Sequence, residues 1–242
     1  MTEQEWLTCT DTHDMLVFLG DKASDRKLRL VAAACCRRLL ALVADLRLQE
    51  AVEVVERYAD GLTTEADLAD VYRKCDNDGH YESEPVAFYL QTTALYLTWH
   101  SALQADWDPS IRERPAAFAA KNAPVCSVNT VAALAERDGG KSAGRAACSP
   151  EEAAQATLLR EIFSNPFRPQ PAVDSCWLSW NDSTIPKLTH AIYEDRGFDR
   201  LPILADALEE AGCDNADILN HCRQPGEHVR GCWVVDLLLN KS

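Results

Sequence analysis

The sequence has no stretch in which apolar and polar residues alternate for long enough to predict a β-strand. Such alternation is the pattern of a half-buried strand, so its absence argues against sandwiches, barrels and other sheet-based folds. The longest uninterrupted apolar run, Leu30–Cys36, has seven residues. A helix needs roughly 20 apolar residues to cross a membrane. The sequence therefore predicts neither a sheet nor a membrane span.

Positive charge is scarce, because 24 lysines and arginines stand against 38 aspartates and glutamates, and the formal net charge is −14. Non-specific nucleic-acid binding depends on neutralising phosphates with basic side chains, so this balance disfavours a nucleic-acid partner. One arm, from Lys22 to Arg47, is locally positive. This arm is a solvated helix face, a surface that docks on the acidic remainder of the chain, or a patch for an anionic partner. The candidate residues of this patch are Arg26, Arg29, Arg37 and Arg38.

No Cys-x-x-Cys pair occurs among the ten cysteines. Zinc ribbons and thioredoxin-like redox sites usually carry that spacing, so both classes are disfavoured. The first residues, Met1–Asp14, lack the basic and apolar regions of a secretory signal peptide. We therefore expect a cytoplasmic protein in which most thiols are reduced and pack as small apolar side chains.

Helical periodicity is the dominant pattern in the sequence. Leu28, Val31 and Cys35 recur at three- and four-residue spacing, which predicts the buried stripe of a long helix. Thr2–Glu5 has the pattern of a capping box, and Ser24 suits the N-cap of the long helix. We predict an all-α fold, a compact bundle or array of about nine to eleven helices with no significant sheet.

The sequence suggests three parts. Residues 1–108 form a predicted N-terminal helical half, residues 109–148 a loosely structured linker, and residues 149–242 a C-terminal helical cassette. The linker contains a glycine-rich loop, Asp138–Gly144, which is the best candidate boundary. Ser149–Glu152 then has the N-cap, first-turn proline and capping glutamate of a helix start. The two halves can also pack as one domain.

The glycine-rich loop contains two short matches to catalytic motifs. Gly140-Lys141-Ser142 resembles the end of a phosphate-binding loop, and Gly140–Gly144 has the spacing of a nucleophile elbow. Both motifs work only where a strand leads into the glycine turn. The preceding residues, Val131–Arg137, have a helical pattern. We therefore interpret both matches as coincidences of composition.

The two ends of the chain resemble a known group of proteins. The segments that carry the resemblance are EWLTCTD, KASDRKLRLVAAACCRRLL and AVEVVERYADG near the start, and LLREIFSNPFRP, AIYEDRGFDRLPILADALEEAGC and HVRGCWVVDLLL near the end. They are similar to a group of paralogous helical proteins abundant in planctomycete bacteria. The resemblance covers roughly Thr2–Gly61 and Leu158–Lys241. It implies kinship and a bacterial origin but no reaction, so it transfers no catalytic residue.

Five side chains that can bind a metal lie close together in the sequence near the C-terminus. Cys222, His228 and Cys232 have spacings that suit a small zinc site, with Cys213 and His221 as further candidates. Packing is the alternative, because Cys232 also belongs to the apolar series of the last predicted helix and Cys213 follows a helix-ending glycine. The sequence indicates no other cofactor.

Two functional classes are compatible with these patterns. We favour a non-enzymatic helical module that binds or regulates a protein partner, because the sequence shows no convergent set of catalytic residues. The competing hypothesis is a small zinc-dependent enzyme or zinc-stabilised module, which uses the C-terminal cysteines and histidines with a carboxylate such as Asp236 or Glu227. If Asp236 is buried, we expect it to pair with a basic residue such as Arg200 or Arg230, or to accept hydrogen bonds from backbone donors.

Overall fold

The computed structural model describes residues 1–76, 85–98 and 114–242. These residues form twelve α-helices and no strand, which confirms the all-α prediction. The predicted boundary between residues 108 and 109 lies outside the described ranges. In chain order the helices are α1 (Glu3–Thr8), α2 (Thr12–Leu19), α3 (Asp25–Leu40), α4 (Leu46–Ala59), α5 (Glu65–Asp76), α6 (Pro85–Leu97), α7 (Pro115–Gly139), α8 (Lys141–Phe163), α9 (Ser175–Asp195), α10 (Leu201–Glu210), α11 (Ala216–Arg223) and α12 (Trp233–Leu238). None of the helices described is both long enough and apolar enough to span a bilayer.

The first helices begin at the predicted capping residues. The Thr2 hydroxyl accepts from the Glu5 backbone N–H at 3.2 Å, and the Glu5 carboxylate accepts from the Thr2 backbone N–H at 2.7 Å. Ser24 caps α3 by accepting from the Lys27 backbone N–H at 3.3 Å. These bonds satisfy donors that have no partner within the helix. Local sequence therefore fixes where α1 and α3 start.

The chain divides into two compact units, Met1–Arg160 and Glu161–Ser242. In the first unit, α3 packs against α4, α6 and α7, and one apolar cluster joins these helices with α5. The second unit has an apolar core of its own, contributed by α9 to α12. Each unit thus has enough buried apolar surface to organise its own helices.

The buried face of α3 is wider than the predicted stripe. Leu28, Val31 and Cys35 are buried as expected, but Arg29, which the helical pattern places on the polar side, is only 3% exposed. Its guanidinium donates to the Leu97 carbonyl at 3.2 Å. Burial lowers the pKa of Arg29 to about 10, so it stays charged at neutral pH. Neighbouring helices cover α3 on more sides than periodicity alone indicates.

The described part of the predicted linker, residues 114–148, is helical except at Arg114 and Gly140. α7 is one helix that includes Pro124, and only Gly140 separates it from α8. Alanine has the highest helix propensity of all residues, and its small side chain permits close packing between helices. Buried alanines occur at helical spacing along α7, which packs against α3: Ala116, Ala119, Ala120 and Ala123. The alanine-rich pattern therefore marks a closely packed helix and not a loose segment.

The helix start expected at Ser149 also differs from the structure, because α8 begins at Lys141 and Pro150 lies inside it. Glu151 does not cap a helix. Its carboxylate is buried and accepts from Nε and Nη2 of Arg38, both at 3.0 Å. The Gln155 amide donates to the same carboxylate at 3.2 Å. A long-range ion pair thus determines the role of a residue whose local pattern resembles a cap.

Gly140 makes the sharp connection between α7 and α8. Its backbone has φ 78° and ψ 179°, a region that is accessible almost only to glycine. With a helix on each side of it, this glycine turn forms neither the phosphate-binding loop nor the nucleophile elbow, both of which need an incoming strand.

We expect Gly140→Ala to lower the free energy of unfolding by about 1–3 kcal/mol, because an added Cβ strains this backbone conformation. Urea denaturation of the full chain measures the change. The control is Ser142→Ala, which alters an exposed side chain of α8 and should shift stability by less than about 0.5 kcal/mol. Equal stability of Gly140→Ala and the unaltered protein would contradict the assignment.

We expect Glu151→Gln to lower the free energy of unfolding by about 2 kcal/mol, because it removes the counter-charge of a half-buried arginine. The loss is smaller than for a fully buried pair, since the Arg38 side chain is 27% exposed. Glu50→Gln is the matched control: the Lys74–Glu50 pair lies at the surface and should contribute less than about 0.5 kcal/mol. Similar losses from both substitutions would show that burial does not increase the contribution of the Arg38–Glu151 pair to the free energy of unfolding.

Candidate metal centre

Four side chains with metal-binding atoms converge in the second unit: Glu161, His221, His228 and Cys232. One such atom from each side chain lies within 4.8 Å of the corresponding atoms of the other three. Glu161 lies near the C-terminal end of α8 and His221 on α11, while His228 and Cys232 belong to the connection between α11 and α12. Three separate chain segments therefore build the cluster.

Local sequence explains how α11 presents its histidine. The Asn215 side chain caps this helix by accepting from the Ile218 backbone N–H at 3.1 Å. Ile218, Leu219 and Cys222 face the core of the second unit, and His221 lies on the same buried face, three residues after Ile218. Gly231 then takes a positive φ of 91° directly before Cys232, at the start of α12.

The Glu161 carboxylate lies between the two imidazoles. Its Oε1 is 2.9 Å from Nδ1 of His228, and its Oε2 is 3.2 Å from Nε2 of His221. The same Nε2 lies 3.2 Å from Sγ of Cys232. The two imidazole rings meet edge to face, and the Trp233 ring packs 5.1 Å from the His221 ring. The donor atoms thus form one small, mostly buried cluster.

Burial governs the charges in the cluster. Cys232 is fully buried and Glu161 is 4% exposed. Burial raises the pKa of the Cys232 thiol well above its ordinary value. Burial alone would raise the pKa of Glu161, but hydrogen bonds from the two histidines lower it. Burial alone would lower the pKa of His228, but the contact with Glu161 raises it. The contact between Glu161 and His228 therefore favours the charged form of each residue.

The donor atoms fit a tetrahedral ion with small adjustments. Zinc bonds of about 2.0–2.3 Å imply donor-to-donor distances of roughly 3.3–3.6 Å. The three closest contacts, at 2.9, 3.2 and 3.2 Å, are slightly shorter than this. Side-chain shifts of up to about an ångström would place all four donors around one ion.

The structure brings together three of the five predicted ligands, His221, His228 and Cys232. Cys213 and Cys222 lie outside the cluster, in the apolar core of the second unit. Burial raises the pKa of Cys222 to about 12, as expected for a packed thiol.

Sequence reasoning missed Glu161, which stands far from the C-terminal cysteines and histidines. One signal could have revealed it. Leu158, Leu159 and Ile162 are buried around it, so the helical pattern places this glutamate on the apolar face of α8. A carboxylate in such a position needs a partner.

The predicted anionic-partner patch is occupied by carboxylates of the protein itself. Three of its arginines form ion pairs, Arg26 with Asp60, Arg37 with Glu56 and Arg38 with Glu151. The fourth, Arg29, is the buried residue described above. The alternative interpretation, that this arm docks on acidic parts of the chain, fits the structure better.

The pair of Glu161 and His228 should make the metal-free protein pH-dependent. Because the pKa of His228 is raised, this residue stabilises the folded protein fully below its ordinary pKa of 6.5, and the stabilisation is lost as pH rises through its folded-state pKa. Because the pKa of Glu161 is lowered, this residue stabilises the folded protein fully above its ordinary pKa of 4.5, and the stabilisation is lost as pH falls through its folded-state pKa. In chelator we expect the pair to stabilise most between pH 4.5 and 6.5. Melting temperatures of the unaltered protein and His228→Gln should converge once pH falls below the folded-state pKa of Glu161 or rises above that of His228. A constant difference across pH would contradict the pairing.

Comparison of the chain with protein-family models, curated proteins and solved structures finds no match. The resemblance to planctomycete proteins therefore stays a prediction. The functional assignment consequently depends on the geometry of the cluster.

Proposed function

We propose that the protein is a non-enzymatic helical module whose second unit binds one zinc ion in a structural role. The observation that carries the proposal is the convergence of four donor atoms, from Glu161, His221, His228 and Cys232, within 4.8 Å of one another. Three different chain segments supply them, and the side chains are almost enclosed.

The donor types favour zinc over hard cations. Calcium and magnesium prefer shells made of oxygen atoms, whereas two imidazoles, one thiolate and one carboxylate match the ligands of zinc. Charge supports the same choice. A thiolate and a carboxylate together carry two negative charges, so a divalent ion leaves this buried site neutral overall, which low-polarity surroundings favour.

Four protein donors support a structural role rather than a catalytic one. Catalytic zinc usually has three protein ligands and an open position for water or substrate, while structural sites are closed by four. The carboxylates considered for catalysis do not complete an active site: neither Asp236 nor Glu227 belongs to the cluster, and Glu227 is exposed. Asp236 is buried, and its pairing with Arg200 or Arg230 stays a prediction.

The module's cellular role, in this proposal, is to bind another protein in a bacterial cytoplasm. The net charge of −14 supports a partner with a basic surface, because complementary charge steers association. Three of the arginines in the basic arm neutralise internal carboxylates, which leaves the acidic character of the surface in place. All ten cysteines are free thiols, which suits a reducing compartment.

Elemental analysis of the untagged full chain tests the zinc proposal. We expect about one zinc per chain, reduced strongly in Cys232→Ser and Glu161→Gln. Cys222→Ala and Cys213→Ala are the matched controls, because they alter buried thiols of the same unit that lie outside the cluster. Their zinc content should equal that of the unaltered protein.

A second measurement does not depend on the folding of any variant. Removing zinc with a chelator should lower the melting temperature of the unaltered protein by about 5–10 °C, the effect of a ligand present at roughly a hundred times its dissociation constant. Restored zinc should reverse the loss. Protein that neither contains zinc nor gains stability from it, or equal metal loss from the cluster variants and the controls, would refute the proposal.

A further inference from the structure

We infer that Gln224 is a positioning residue that orients both histidines toward the metal. This inference rests on the proposed zinc site. It concerns the nitrogens that point away from the ion, because those nitrogens decide whether each ring can present a lone pair inward.

The two histidines turn different ring nitrogens toward the cluster. His221 presents Nε2, which lies 3.2 Å from both Glu161 and Cys232, and His228 presents Nδ1, which lies 2.9 Å from Glu161. The outward nitrogens are therefore Nδ1 of His221 and Nε2 of His228. A neutral imidazole that ligates a metal through one nitrogen carries its proton on the other. Each outward nitrogen then needs a hydrogen-bond acceptor.

Both outward nitrogens meet the same residue. The side-chain amide of Gln224 lies 3.2 Å from Nδ1 of His221, and the backbone carbonyl of Gln224 lies 3.4 Å from Nε2 of His228. Backbone carbonyls and side-chain oxygens are common outer partners of metal-bound histidines, where they fix ring orientation and the position of the proton. One residue thus contacts the outward nitrogen of each ring, through its side-chain amide at His221 and through its backbone carbonyl at His228.

The end of α11 explains this double role. Gln224 is the C-cap of that helix: its N–H still bonds to the Asn220 carbonyl at 2.8 Å, but its φ of −66° and ψ of 139° leave the helical conformation. Its carbonyl therefore turns away from the helix toward His228. Its side chain lies near His221 because residues three apart share one side of a helix.

The orientation of the Gln224 amide should change when zinc binds. In the structure, the amide nitrogen faces Nδ1 of His221, which suits a metal-free ring that carries its proton on Nε2. Zinc on Nε2 requires the proton on Nδ1, so the amide oxygen must then face the ring. A half-turn about the last side-chain bond exchanges the two atoms, and the exposed position of Gln224 permits it.

Zinc affinity of the full-length variants tests the inference, measured by competition with a chelating dye at one fixed pH. We expect Gln224→Ala to weaken zinc binding about 10-fold, because it removes one outer acceptor and leaves the carbonyl of residue 224 in place. Gln224→Glu should bind within about threefold of the unaltered protein or more tightly, because a carboxylate oxygen accepts in either orientation. The matched control is Asn220→Ala, which removes an exposed amide from the same helix and should leave affinity unchanged.

Two further readouts separate positioning from general stability. The melting temperature in chelator should be the same for Gln224→Ala and Asn220→Ala, and the visible spectrum of cobalt-loaded protein should shift only for Gln224→Ala. Unaltered affinity in Gln224→Ala, or an equal loss in Asn220→Ala, would overturn the inference and leave the zinc site standing. If the unaltered protein does not bind zinc, the proposed function and this inference both fail.

Discussion

A carboxylate that leaves water must find a cation or hydrogen-bond donors, and this constraint shapes both units of the protein. Glu56 and Glu151 are buried and bind the guanidinium groups of Arg37 and Arg38. Glu161 is buried between two histidines. Breaking such a pair is costly because the remaining charge is left in a medium of low polarity. Although basic residues are few in this acidic chain, several of them therefore lie against its own buried carboxylates.

The choice of cationic partner separates a structural pair from a possible metal site. The guanidinium group has no lone pair to offer and keeps its charge, so an Arg–Glu pair cannot exchange its proton for a metal. An imidazole can lose its proton and present a nitrogen to an ion, and the adjacent Cys232 can do the same with its sulfur. Glu161 is thus surrounded by groups that can be satisfied either by protons or by zinc. The arginine pairs of the first unit lack this capacity.

Local patterns predicted the all-α fold and its first capped ends, because caps and apolar stripes act over only a few residues. Thr2 and Ser24 cap as expected, since each needs only an N–H group three residues away. The same rule failed at Ser149, where the partner of Glu151 is 113 residues distant. Glu161 was missed for a similar reason. The chain segment that brings a histidine to it follows from the packing of the second unit, which periodicity does not specify.

The alanine-rich composition of α7 made this helix difficult to predict from the sequence. In α7, small buried side chains allow close approach to α3, but their weak hydrophobicity makes the apolar stripe hard to distinguish from loose, low-complexity sequence. The sequence pattern also places the single glycine after α7 in a glycine-rich loop. Its positive φ instead makes a tight turn between two long helices.

The second unit has an apolar core of its own, which distinguishes it from a small zinc finger. Its core contains large buried side chains from α9 to α12, including Ile185, Tyr193 and Leu204. Zinc fingers unfold without metal because they have little apolar core of their own. Here the ion would instead fix the connection between α11 and α12, whose backbone lacks regular helical bonds. The contacts of Glu161 with His228 and of His221 with Cys232 already hold the arrangement in the structure, so a metal ion would tighten a site that hydrogen bonds keep in place.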